Sequence, residues 1–180
     1  DGHSAFGSDF GLEPYPKASA AYVISDEGFF PENFGMLKLR AAIGESGKAP
    51  GLFDAARTWS SVAGDDGQPG VSPDNLGNPD LGPERTLEWE FGFEGSTFND
   101  RVQFEYTYYD QTTSDALVGV RQLPSGGFVG TQLENVGKVT NSGHEIFVNA
   151  TLVAGDNFSW DLGGQYSTNK SGVVDLGGLE

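Results

Sequence analysis

The residues most able to do chemistry in this sequence are two histidines, but their spacing does not support a reactive site. His3 and His144 lie far apart in the chain, and neither belongs to an H-E-x-x-H or similar ligand pattern. Zinc needs three or four converging ligands, so we interpret His144, with Glu145 after it, as the start of a strand. Serines are frequent, yet no G-x-S-x-G motif contains one. We therefore expect no catalytic residues, no metal ligands and no enzyme activity.

Two kinds of loop sequence could instead hold an ion. The stretch GESGKAPG at 44–51 combines Gly with Lys but lacks the G-x-x-x-x-G-K-[ST] spacing of a phosphate-binding loop. The stretches at 64–70 and 72–80 offer carboxylate and carbonyl oxygens that would suit calcium. They do not fit the EF-hand frame, and Asp, Asn, Gly and Pro are also ordinary turn residues. We expect no cofactor, with calcium in these acidic loops as the alternative.

The composition favours an all-β fold. The chain has 27 Gly among 180 residues and is 12% aromatic, a mixture suited to turns and strands. Its net charge of −16 argues against nucleic acid as a partner, because phosphate backbones bind clustered Lys and Arg. Without cysteine there are no disulfides or thiol ligands. No segment approaches the ~18 apolar residues of a membrane helix, a test that does not address membrane β-strands.

Alternation of apolar and polar side chains marks the strands. Period-2 patterns predict strands at 16–25, 36–44, 85–95, 101–113, 144–154 and 157–168. In the two clearest segments, the apolar side consists of Leu87, Trp89, Phe91, Phe93, Val102, Phe104, Tyr106 and Tyr108. The polar side consists of Glu88, Glu90, Glu94, Gln103 and Glu105. Trp89, Tyr108, Trp160 and Tyr166 suit an interfacial aromatic girdle.

The connections between these strands alternate in length. Those at 96–100 and 154–157 are tight turns and 26–35 is intermediate, whereas about 45–84 and 114–135 are long, irregular loops. Long irregular loops are uncommon in compact soluble domains. Short turns at one end and long loops at the other are typical of outer-membrane barrels, whose strands face lipid and lumen alternately. The apolar side would then face lipid and the polar side the lumen. A soluble sandwich with the apolar side buried remains open.

Five stretches resemble one family and occur in that family's order. They are DGHSAFG (1–7), YPKASAAYVISDEGFF (15–30), LKLRAAIGESGKAPG (37–51), NPDLGPERTLEWEFGFE (78–94) and ENVGKVTNSGHEIFVNA (134–150). Together they are similar to segments of the TonB-dependent outer-membrane receptors, especially the SusC/RagA-like branch. The departures from the family pattern, at His3, Ala5, Tyr22, Gly82 and His144, leave the strand pattern intact.

The resemblance implies a fold, a function and a set of partners. The fold is a transmembrane β-barrel of about 22 strands around a plug, with short periplasmic turns and long extracellular loops, so residues 1–180 would be an internal section of its antiparallel wall. The function is TonB-dependent import of a nutrient such as a glycan, peptide or metal chelate across the bacterial outer membrane. Phe53 and Trp59, in the loop 45–84, are candidates to stack on a sugar or other ligand, with packing inside the loop as the alternative for Trp59.

The implied partners are outer-membrane lipid, the remainder of the barrel with its plug, the TonB complex and a SusD-like lipoprotein. The alternative is a protein of another class, a soluble or surface-exposed all-β module that binds a ligand or assembles into filaments. Such a module would have to bury its apolar side against another sheet or another copy.

Overall fold

The computed structural model describes residues 5–6, 11–31 and 33–177, and nearly all of their regular structure is β. His3, considered above as a metal ligand, lies outside the described residues. The eight strands are β1 (Lys17–Val23), β2 (Leu37–Lys48), β3 (Trp59–Ala63), β4 (Pro69–Pro73), β5 (Glu84–Thr97), β6 (Val102–Arg121), β7 (Thr131–Ala154) and β8 (Ser159–Asp175). Three short 3₁₀ turns lie at Ile24–Asp26, Asp65–Gly67 and Pro124–Gly126.

Six of the strands form one antiparallel sheet in the order β1-β2-β5-β6-β7-β8, and β3 and β4 form a separate hairpin. The all-β, up-and-down fold predicted from the sequence is confirmed. The sheet is open, with β1 and β8 at its edges. In the described part of the chain, no helix is both long and apolar enough to cross a membrane.

The two long loops are shorter than predicted. Strand β6 continues to Arg121 and β7 begins at Thr131, so most of 114–135 is strand and only 122–130 connects them. The register shifts around Ala116, and Asp115 has a φ of 55°, so a bulge interrupts the alternation that the sequence pattern relied on. The loop 45–84 likewise includes the end of β2, the hairpin β3–β4 and Glu84, the first residue of β5.

The pairing register places side chains of one kind on each face of the sheet. Phe91 of β5 lies opposite Ala41 of β2 and Tyr108 of β6, and Tyr108 lies opposite His144 of β7. Because side chains alternate in direction along a strand, every second residue from these joins the same face. The apolar face therefore includes Leu39, Ile43, Leu87, Trp89, Phe93, Val102, Phe104, Tyr106, Ile146, Val148, Leu162 and Tyr166.

The apolar face is not covered by a second layer of the described chain. Trp89, Phe91 and Tyr166 are 42%, 48% and 63% exposed. The buried hydrophobic residues among those described are Ala5, Leu81 and Ala116, which do not form a core beneath the sheet. A soluble sandwich would bury this face against another sheet. The sheet is therefore a wall with an apolar surface on one side.

The edge of the apolar face runs diagonally across the strands. On β5 the apolar run reaches Leu87, which lies opposite Thr112 of β6. On β6 the apolar run already ends at Tyr108, four positions closer to the short turns than Thr112. Tyr108, His144 and Thr168 lie in one row across β6, β7 and β8. On β8 the apolar run ends at Tyr166, two positions closer to the short turns than Thr168. A diagonal boundary is expected where strands are tilted relative to the apolar band that they cross, as in barrels.

Candidate functional site

The apolar face is a continuous aromatic surface with few polar groups. The rings of Trp89 and Tyr108 are 5.3 Å apart, and Phe93 contacts both Tyr106, at 5.3 Å, and Phe104, at 6.2 Å. These pairs join β5 to β6 with the cross-strand aromatic packing that stabilises sheets. The residues predicted to face lipid thus lie together on one face, and their contact with lipid stays a prediction.

His144 lies on this apolar face and is bonded to tyrosine. Its Nδ1 and the Tyr106 hydroxyl are 2.9 Å apart, and its ring lies 5.0 Å from that of Tyr108. Among the described residues, no three His, Asp or Glu side chains converge to form a metal site. The tyrosine hydroxyl satisfies the polar edge of the imidazole on an otherwise apolar surface.

The opposite face carries a network of charges that sequence reasoning found only in part. Glu94 accepts a bond of 2.7 Å from Lys38 and lies 4.0 Å from Arg40. Arg40 also pairs with Glu105 and donates a 2.6 Å bond to the Thr107 hydroxyl. Glu94 and Glu105, both predicted to face the lumen, thus belong to one ion-pair network, but their basic partners on β2 were not predicted.

A glycine makes this network possible. Arg40 lies opposite Gly92, and Gly92 lies opposite Thr107, so the arginine side chain crosses β5 to reach β6. A Cβ at position 92 would lie 3.1 Å from Arg40 Nε and 2.5 Å from the Tyr106 carbonyl oxygen. The missing side chain of Gly92 therefore leaves the gap through which Arg40 crosses.

A second polar chain crosses four strands of the same face. Gln111 donates a 2.9 Å hydrogen bond to Glu88, and Asn141 donates a 3.3 Å bond to Gln111 Oε1. The Ser171 hydroxyl donates to Asn141 Oδ1. The four residues are direct neighbours in register on β5, β6, β7 and β8, and we call them the polar ladder. Side-chain amides that both donate and accept can continue such a chain across the sheet.

Next to the polar ladder the face contains a recess of about 430 Å³. Its floor is made of small β2 residues, including Ala42 and Gly44, with Lys17 on one side and Glu88 and Glu90 on the other. The register puts Glu90 and Gln103 on the polar face with the rest of the predicted set. All five residues predicted to face the lumen therefore share one polar face, and whether this face lines a lumen stays a prediction.

The long-loop end, where 49–83 and 122–130 lie, brings together an aromatic pair. Trp59, at the start of β3, lies 6.5 Å from the ring of Phe128, and the Arg57 guanidinium lies 5.6 Å above that ring. We call Arg57, Trp59 and Phe128 the outer cluster. Trp59 was predicted as a ligand residue, whereas Arg57 and Phe128 were missed because only the fold brings the two loops together. Phe53, the other predicted ligand residue, is 68% exposed and lies outside the outer cluster.

Two acidic side chains of the first loop form hydrogen bonds within that loop. Asp54 Oδ2 accepts a 2.6 Å bond from the Gly51 amide, and Asp74 Oδ2 accepts a 3.3 Å bond from the Thr58 hydroxyl. The first of these bonds is typical of Asp in turns, whereas the second joins side chains from the two ends of the hairpin. Calcium binding by these loops stays a prediction.

Comparison with known proteins gives a consistent result. A family described as TonB dependent receptor-like, beta-barrel, matches residues 1–178. TonB-dependent receptor P26 of Formosa agariphila is 39% identical over all of this chain, which covers 19% of that protein. TonB-dependent receptor SusC of Bacteroides thetaiotaomicron is 24% identical over 99% of this chain and 19% of its own length. These relatives are receptors and not enzymes.

A solved structure has the same fold. The RagAB peptide importer in its closed-closed state superposes with a TM-score of 0.87 and 24% identity, over 98% of this chain and 20% of that one. The chain spans about a fifth of the length of the relatives that it matches. The six-stranded sheet therefore has the fold of one part of that larger chain. The chain belongs to the β-barrel family of TonB-dependent receptors.

Proposed function

We propose that this chain is one section of the wall of an outer-membrane importer that takes up a nutrient by TonB-dependent active transport. The observation that supports this most is the pair of unlike faces on a single sheet. One face is aromatic and uncovered, and the other carries ion pairs and the polar ladder. A strand that alternates in this way suits lipid on one side and an aqueous interior on the other.

The proposal assigns a role to each part of the chain. The apolar face contacts outer-membrane lipid, and the polar face, with Glu88, Glu90 and Glu94, lines the interior near the plug. The outer cluster and Phe53 lie on the extracellular side, where exposed aromatic rings contact the nutrient. The remaining partners are the rest of the barrel, the TonB complex and a SusD-like lipoprotein. The names of SusC and of the RagAB peptide importer among the relatives support this class of function.

Spin labels on adjacent residues test the proposal directly. Cysteine is introduced at Phe91 or at Glu90 in the full-length receptor, which is labelled and reconstituted in lipid vesicles. We expect the label at position 91 to collide preferentially with oxygen dissolved in the lipid, and the label at 90 with a water-soluble nickel complex. Equal accessibility to both reagents at the two positions would refute the lipid and lumen assignments. The pair is its own control, because the two residues are neighbours on one strand.

A further inference from the structure

Segment 77–84 lies against the extended arms of β6 and β7. The carboxamide of Asn135 accepts a 2.8 Å hydrogen bond from the Gly82 amide and donates one of 3.0 Å to the Gly82 carbonyl. It thus pairs with Gly82 as another strand would. The same side chain donates a third bond, of 2.9 Å, to the Asp115 carbonyl. Asn135 therefore links one segment of the long loop to both β7 and β6.

Two further side chains hold the same segment. Asn78 Nδ2 donates a 2.9 Å bond to the Leu133 carbonyl, and Gln132 donates to the Gly77 carbonyl. Leu81, between these points, is completely buried. The contacts with Leu133, Gln132 and Asn135 come from consecutive parts of β7. The segment therefore docks along this strand over several residues.

The bulge in β6 explains why polar side chains are needed here. Pairing between β6 and β7 is irregular from Thr113 to Leu117, and β5 pairs with β6 only as far as Ser114. Beyond that point the backbone of β6 still pairs with β7 but has no partner on the β5 side, and side chains bond to it there. Asn135 donates a bond to the Asp115 carbonyl, and Glu84 accepts a 2.9 Å bond from the Leu117 amide.

The segment that Asn135 holds is continuous with the base of the β3–β4 hairpin. The Thr58 amide donates a 2.9 Å bond to the Asn75 carbonyl, and the Asn75 side chain donates bonds of 3.0 and 3.1 Å to Phe53 and Ala56. The Asn78 amide donates 3.2 Å to Asp54. Residues 53–58 and 74–78 therefore form one unit that carries Trp59, whereas Phe128 is carried by the β6–β7 connection.

We propose that Asn135 is a positioning residue that fastens this unit to the β6–β7 arms and thereby keeps Trp59 against Phe128 in the outer cluster. The three bonds of its carboxamide join Gly82 of the first loop to β7 and β6, the two strands that the Phe128 connection links. Without them, the hairpin is attached to the wall through its chain ends and the bonds of Asn78 and Gln132, and its position relative to Phe128 varies more. That the outer cluster contacts a nutrient rests on the proposed function, but the fastening itself does not.

The test measures the distance between the two loops in the full-length receptor without ligand. Spin labels on cysteines at Ser61 of β3 and Ser125 of the β6–β7 connection report that distance. Hydrogen exchange measures how well the Gly82 amide is protected. For Asn135→Ala we expect a broadened distance distribution and exchange across 77–84 at least about tenfold faster. Asn135→Asp keeps the acceptor for Gly82 but loses both donated bonds, so an intermediate result is expected. Asn149→Ala, on the same strand, is the matched control and is expected to change neither measurement.

Two results would overturn the proposal. An unchanged distance distribution and unchanged exchange in Asn135→Ala would show that the carboxamide does not fasten the loop. Faster exchange in all strands with a lower urea midpoint would make Asn135 a general stabiliser of the barrel and not a positioning residue. Failure of the lipid and lumen test on positions 90 and 91 would refute the proposed function and leave this measurement unaffected.

Discussion

Arg40 of β2 forms an ion pair with Glu105 of β6 although a complete strand, β5, lies between them. The arginine passes over Gly92 and also donates a 2.6 Å bond to the Thr107 hydroxyl. Three strands are thus linked by one side chain on the polar face. The link depends on the register, because Arg40, Gly92 and Thr107 must lie in one row.

This crossing predicts a measurable coupling energy. The two side chains are 37% and 42% exposed, so water and salt screen the pair. We expect a double-mutant cycle with Arg40→Met and Glu105→Gln to give about 0.5–1 kcal/mol, measured by urea unfolding of the receptor in vesicles. The pair Lys48 and Glu84, whose lysine is 75% exposed, is the control and should couple less strongly. A coupling near zero for Arg40 and Glu105 would contradict the contact.

Gly92 gives a second, independent prediction. In Gly92→Ala the new methyl group would lie 2.5 Å from the Tyr106 carbonyl oxygen, so β5 and β6 must shift and Arg40 must move. Overpacking of this kind costs roughly 1–3 kcal/mol. Gly164→Ala is a suitable control, because nothing lies within 4 Å of its Cβ position. Equal unfolding midpoints for the two variants would show that the gap at Gly92 is not needed.

Charge placed on the two faces should have opposite consequences. Phe91→Arg or Phe104→Arg puts a guanidinium on the aromatic face and should cost roughly 2–4 kcal/mol near the bilayer midplane. Glu90→Gln removes a charge from the polar face and should cost little. The free energy of unfolding from lipid vesicles measures all three variants. Similar small effects at the three positions would contradict the proposed orientation of the wall.

The polar ladder should be sensitive to loss of its amide. Gln111→Leu leaves Glu88 without its donor and Asn141 without its acceptor, which we expect to cost about 1 kcal/mol. Thr112→Leu changes the next residue, which faces the other side of the sheet opposite Leu87, and should be neutral or slightly stabilising. The same unfolding experiment compares them. A smaller loss for Gln111→Leu than for Thr112→Leu would argue against the polar ladder.

The β5–β6 turn contains strain that can be relieved. Phe98, Asn99 and Asp100 have φ values of 55°, 57° and 61°, a left-handed conformation that costs a residue such as Phe roughly 1–2 kcal/mol. Phe98 is 71% exposed, so packing within the sheet does not account for it. In detergent, Phe98→Gly should stabilise the receptor by up to about 1 kcal/mol, and Asn99→Gly by less, since Asn tolerates this region. A destabilised Phe98→Gly variant in detergent would contradict this account.

The strands that could be predicted from the sequence were those with an uninterrupted two-residue period. In β5 and β6 the alternation around Phe91 and Phe104 defined both faces, because side-chain direction follows from position in a strand. The part of β6 from 114 to 121 was missed because the bulge at Asp115 shifts the two-residue period of the side chains. Strands β3 and β4 were missed because five-residue segments rich in Ser, Gly and Pro resemble loop sequence.

The contacts of the candidate site were less predictable than its faces. The acidic residues of the polar face could be assigned by alternation, but the partnership of Arg40 with Glu105 depends on the register across three strands. Phe128 meets Trp59 only because two distant loops fold together. The role of Asn135 likewise depends on the bulge, which leaves the Asp115 carbonyl for it to bond. Such pairings are tertiary and have no local pattern in the sequence.

The diagonal edge of the apolar face affects how measurements on neighbouring strands are compared. Leu87 of β5 and Thr112 of β6 are paired, yet Leu87 still belongs to the apolar run of its strand and Thr112 lies beyond the end of the run on β6. In the proposed barrel, residues of equal register therefore do not share one chemical environment along the barrel axis. Positions with equivalent surroundings lie progressively closer to the short turns on each strand from β5 to β8. Labels chosen at these positions, and not along the hydrogen-bonded rows, would sample a common layer of the membrane.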